Sequence, residues 1–143
     1  MRSVEEIIDL FHDLDRDTKL DLLLDYSKKL PEIPERYQNT EQKETHRVHE
    51  CQTPVSLWVD LIEGKIQIYA DVPKESPTVR GFLSILSEIF NGASPAVVIE
   101  APQDILSRTG LDHTLGMMRL QGLNAIYQRV KSAARMAESP DRN

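Results

Sequence analysis

The chain has a single cysteine, Cys51, among its 143 residues. That scarcity excludes an internal disulfide and any zinc or iron–sulfur site built from several thiolates. A basic excess is also missing. Seventeen Lys and Arg stand against 23 Asp and Glu, a formal charge of −6. Nucleic-acid binding needs a concentrated positive surface and is therefore not expected. Long hydrophobic runs are absent too. Stretches such as Ala96–Ile99 fall far short of the ~20 apolar residues needed to cross a bilayer, so no membrane association is expected. The start of the chain, Met1-Arg2-Ser3-Val4-Glu5-Glu6, turns acidic at once and lacks the apolar core of a secretory leader. With one free thiol, this points to the reducing cytoplasm. No glycine-rich phosphate loop, serine elbow or nucleotide fingerprint occurs. Asp9, Asp13, Asp21 and Asp25 fall on solvated helix faces, which leaves a general-acid enzyme without a site.

What remains is ordinary for a soluble domain, 40% hydrophobic and 28% charged, in a length that suits one folding unit with a real core. Residues 1–143 are expected to form that single domain, with 138–143 fraying. Ser3 and Glu6 make a capping box ahead of Val4, Ile7, Ile8 and Phe11 at helical spacing. A second helix, starting near Asp15 or Asp17, carries Leu20, Leu23, Leu24 and Leu30 up to Pro31. The two are expected to pair as a helical hairpin. Residues 31–45 are polar and read as a long connection, and His46–Glu50 as a short strand leading into an exposed turn at 51–54.

Beyond Pro54 the period becomes two. Val55, Leu57, Val59 and Leu61 share one face, Ser56, Trp58 and Asp60 the other, and Glu63-Gly64 turns the chain into Ile66, Ile68, Ala70 and Val72. The reading is a β-hairpin with one face buried. Ser76-Pro77 opens a strongly apolar helix closed by Asn91-Gly92. Short helices follow from Ser94-Pro95 and from Pro102 to Gly110, and the last runs from about Leu120 to Ala137. The expected fold is α+β, a small antiparallel sheet of about three strands packed against several helices.

Two segments stand out chemically. Cys51 is surrounded by Arg47, His49 and Glu50. Positive neighbours lower a thiol's pKa and a carboxylate raises it. In a strand His49 would share a side with Cys51. An inert, packed thiol is the other reading, and it stays open on composition alone. His46, His49 and Cys51 are also possible zinc ligands, although spacings of three and two in an extended segment do not converge on one ion. The second segment is Gly116-Met117-Met118-Arg119-Leu120-Gln121-Gly122-Leu123. It reads either as a helix entry with core-filling methionines or as a place where glycines let the backbone approach a thiol, with Arg119 near it.

The run Arg47-Val48-His49-Glu50-Cys51-Gln52-Thr53-Pro54-Val55-Ser56-Leu57-Trp58-Val59, the hairpin, the helix from Ser76-Pro77 and the late Arg119-Leu120-Gln121-Gly122-Leu123 resemble the SufE/CsdE-type family. Its members are sulfur-acceptor partners of cysteine desulfurases in iron–sulfur cluster assembly. The resemblance implies that Cys51 is the acceptor that becomes a transient persulfide. It implies a charge-stabilising role for Arg119 and a supporting place for Gln52; His49, on its strand placement, is a further candidate to assist the thiol. It implies no resident cofactor or metal on this chain, and a SufS/CsdA-type desulfurase carrying pyridoxal phosphate as partner. An iron–sulfur scaffold or another acceptor would lie downstream. One departure is Glu50, where the family usually has glycine; Gln-Thr-Pro in place of a more usual serine-containing run is a smaller one. An adaptor without covalent chemistry and a single-thiol redox sensor are the alternatives.

Overall fold

In the computed structural model, which describes residues 2–138, the capping box forms as the sequence predicts. The Ser3 hydroxyl accepts from the Glu6 amide at 3.2 Å, and Glu6 Oε1 accepts from the Ser3 amide at 3.0 Å. This starts α1 (Val4–His12). Asp15 caps α2 (Arg16–Ser27) by accepting from the Thr18 amide at 2.8 Å. This helix ends before the predicted boundary, because Leu30 precedes a proline and is pushed out of the helical region. Leu30 still reaches the core in an extended segment.

The connection from 31 to 45 is more ordered than expected. It holds a single 3₁₀ turn, Glu35–Tyr37, and α3 (Thr40–Thr45), which Asn39 caps through the Gln42 amide. Two strands follow, β1 (Ser56–Ile62) and β2 (Lys65–Asp71), antiparallel with Ser56 opposite Asp71 and Ile62 opposite Lys65. The third expected strand is reduced to an isolated bridge between Arg47 and Ser56. Around it, Val48 donates to the Val55 carbonyl and Leu57 to the His46 carbonyl.

The remaining elements are α4 (Pro77–Phe90), α5 (Pro95–Glu100), α6 (Ile105–Arg108), α7 (Leu111–Thr114) and α8 (Met117–Glu138). The segment expected as one helix from Pro102 to Gly110 thus holds only the single turn of α6. The last helix begins three residues ahead of Leu120. The predicted fraying of the end falls, beyond Glu138, outside the described residues.

Two strands alone are marginal, and the sheet is held by what lies on its edges and faces. The turn after α4 closes the outer edge of β2: Ile66 donates to Ala93 and accepts from Gly92, both at 2.8 Å, and Asn91 Oδ1 accepts from the Ile68 amide at 2.7 Å. On the inner face Val55, Leu57, Ile66 and Ile68 meet Phe82, Leu86 and Ile126 in one core. The outer face is not open as expected. Trp58 is buried, stacked on Tyr37 with centroids 4.7 Å apart, and its Nε1 donates to Gln42 Oε1. The polar 31–45 segment supplies this cover, which a period-two pattern cannot reveal.

The main partner of α2 is α4 rather than α1, so the predicted helical hairpin does not organise the N-terminal region. On the far side α8 packs against α5 and β1. Lys131 on α8 is fully buried, and its ammonium donates to the carbonyls of Val98 and Ile99 at 2.9 and 3.0 Å and also to that of Ala101. These are carbonyls that the C-terminal end of α5 leaves without helical partners. The lysine therefore clamps α5 to α8 and holds α8 in place under the segment that carries Cys51.

Candidate functional site

The bridge at Arg47 and the pairing of Val48 with Val55 form the neck of a loop, residues 49–54, with Cys51 near its tip. Pro54 cannot donate to a ladder, so pairing stops there. Inside the loop one backbone bond appears, from the Cys51 amide to the Val48 carbonyl at 3.2 Å. The neck is pinned from α8, where Arg129 Nη2 donates to the Arg47 carbonyl at 3.1 Å. The loop is thus anchored at its base and lightly bonded at its tip.

Cys51 is a free thiol, partly buried against the edge of the core. It lines a surface cavity of about 230 Å³ with Gln52 and Thr53 from its own loop, Val79 from α4, and Met118, Arg119 and Gly122 from α8. Burial pushes the thiol's pKa up from its ordinary value, and the backbone and hydroxyl of Thr53, which favour the anion, oppose this. The direction is the opposite of the lowering that Arg47 and His49 suggested. Arg47 is turned elsewhere: its Nη2 donates to Glu44 Oε1 at 3.0 Å.

The sequence pattern of the SufE family, described as an Fe-S metabolism associated domain, matches residues 5–134. The chain belongs to the SufE family. An uncharacterized SufE-like protein of Rhizobium meliloti is 32% identical over 140 residues, covering 94% of this chain and 96% of the relative. One from Mycobacterium tuberculosis is 31% identical over 134 residues, covering 93% and 92%. The sulfur acceptor protein CsdE of Escherichia coli is 28% identical over 115 residues, covering 79% and 74%. The fold matches the solution structure of a hypothetical protein from Thermus thermophilus with a TM-score of 0.79 at 34% identity, over 94% of each chain.

In this cavity the structure brings together Cys51, Gln52 and Arg119, from segments 68 residues apart in sequence at their widest. His49 is exposed in the turn and does not line the cavity. The expectation that it shares a side with Cys51 assumed a strand, and residues 49–53 are turn and bend instead. His46 is drawn away, packed near Trp58 with its Nδ1 at 3.0 Å from the Gln42 carbonyl. Among the described residues no three His, Cys, Asp or Glu side chains gather as a metal-binding set. Glu50 keeps a negative φ, since among the described residues the only non-glycine in the left-handed region is Glu63. This loop thus accommodates Glu50 without the left-handed backbone that would call for glycine.

Three contributors escaped the sequence reading. Thr53 and Val79 close the cavity, and Arg129 holds the neck from two turns further along α8. Val79 lay on the readable apolar face of α4, but nothing along the chain pointed it, Thr53 or Arg129 at Cys51. Met117 and Met118, read as possible core fillers, are instead 73% and 59% exposed, and Met118 lines the cavity. No helix among the described residues is long and apolar enough to cross a membrane.

Proposed function

We propose that this chain accepts sulfur on Cys51 from the persulfide of a pyridoxal-phosphate-dependent cysteine desulfurase of the SufS/CsdA type. It would pass that sulfur to an iron–sulfur scaffold or another acceptor, and work in a reducing compartment such as the cytoplasm. The observation that carries the reading is the chain's sole thiol, set at the tip of a loop anchored at its neck and opening into a cavity shared with Arg119.

The chemistry is sulfur-for-sulfur exchange. The Cys51 thiol first loses its proton to solvent. The thiolate then attacks the outer sulfur of the partner's cysteine persulfide. A new S–S bond forms on Cys51 as the partner's S–S bond breaks, and the partner's own sulfur leaves as thiolate. The transferred sulfur keeps its oxidation level, so neither an oxidant nor a reductant is consumed. The product is an anion, and Arg119, which lines the same cavity, would offset that charge. The exposed Met117 and Met118 provide a deformable apolar rim where a partner can seat. This chain needs no resident cofactor for the step.

Intact-protein mass spectrometry after incubation with desulfurase and cysteine tests the reading. Gain of one sulfur mass, lost in Cys51→Ala, is the expected result. Full desulfurase stimulation by Cys51→Ala would make the chain an adaptor instead. Oxidation of Cys51 by peroxide without any sulfur gain would make it a redox sensor.

A further inference from the structure

Gly122 lies on the face of α8 that meets the Cys51 loop. A Cβ added there would fall 2.9 Å from the Cys51 sulfur, closer than such atoms pack, but 3.5 Å from the Cα and Cβ of Cys51, an ordinary contact. The missing methyl group therefore makes room for one atom, the sulfur. Gly116, at the other end of the same glycine-bracketed segment, has nothing within 4 Å and makes no such room. Gly122 also sits inside a long helix, where glycine is less favourable than alanine by about 1 kcal/mol, so the helix itself gives no reason for it.

We propose that Gly122 is a positioning residue for sulfur transfer: the gap left by its absent side chain is the seat that holds the Cys51 sulfur against α8. The seat rests on the reading of Cys51 as the working sulfur. In it the thiol is partly buried between Val79 of α4 and Met118 of α8. The charged side chain facing the same cavity is Arg119, while His49 and Glu50 of the loop are exposed. Filling the seat obstructs only the far end of a short side chain, which rotates out while the backbone stays where it is.

The experiment is the pH profile of Cys51 alkylation by iodoacetamide in the wild type and in Gly122→Ala, with no desulfurase present. The expected result is a faster reaction near neutral pH in Gly122→Ala, with the midpoint of the profile moved down. An unchanged rate and midpoint in a folded variant would overturn the proposal. Thermal melting of the same substitution in a Cys51→Ala background provides a second arm. With no sulfur to displace, Gly122→Ala should there raise the melting temperature, as alanine does inside a helix. An equal loss of stability in both backgrounds, or failure to fold in both, would show that the glycine accommodates something other than the sulfur, and the proposal would be wrong. Sulfur loading by desulfurase is measured separately. If alkylation changes as expected but neither protein takes up sulfur, the functional reading fails while the seat stands.

Discussion

Two turns of the same small sheet are built on opposite plans. Glu63-Gly64 joins β1 to β2 with two residues, both at positive φ, 53° and 80°. This is the mirror-image turn whose twist matches the strands, and a Cβ on Gly64 would meet nothing within 4 Å. The loop at 49–54 spans the other pairing, between Val48 and Val55, with six residues and one internal backbone bond. It takes its shape from α8, through Arg129 at the neck and Gly122 at the tip. A turn set by its own dihedral angles has no reason to move. One set by contacts with another element can be released when those contacts are exchanged for a partner's. Cys51 sits on the second kind.

The largest expected effect is on that loop's chemistry. Cys51→Ala should abolish sulfur uptake from a desulfurase in mass spectrometry, while the circular dichroism spectrum stays that of the wild type. Next is the neck. Arg129→Ala removes a charge-assisted bond to the Arg47 carbonyl and should cost about 1.5 kcal/mol in urea unfolding. Amide exchange at Val48 and Cys51 should quicken while that at Ile66 and Ile68 does not. Equal acceleration in both turns would erase the distinction between them. Gly64→Ala comes third. It forces a side chain into the left-handed region and should cost about 1 kcal/mol, yet leave the Cys51 alkylation profile unchanged.

The smallest effect is the pH dependence. Burial raises the folded-state pKa of Cys51, so the folded protein holds that proton more tightly than the unfolded chain. This contribution to stability is fully present below the ordinary thiol value of about 8.5 and is lost as pH rises through the higher folded value. The stability gap between wild type and Cys51→Ala should therefore shift toward Cys51→Ala from about pH 7 to about pH 10, read from urea midpoints. No shift across that range would mean that the resting thiol is not sheltered.

Much of this was legible along the chain because it is local. The capping box at Ser3, the Glu63-Gly64 turn, the apolar stripe of α4 and the alternation of β1 and β2 depend on residues a few positions apart, and each formed where its pattern stood. The misreadings share a cause. Trp58 was assigned an open face because its cover comes from Tyr37 and Gln42, in a segment too polar to announce itself. His49 was placed beside the thiol because a strand was assumed where the chain turns. Arg47 was counted as an activating charge, although Glu44 holds it.

Along the sequence, then, the single cysteine and the Arg119–Gly122 segment were visible as two chemical oddities, because residue type and spacing are properties of the chain alone. That they share one cavity, that burial pushes the thiol's pKa up, and that Gly122 leaves it a space the size of its sulfur was decided by the fold. Burial and close approach exist only between elements that packing brings together, here α8 against the loop before β1, across about 70 residues of chain.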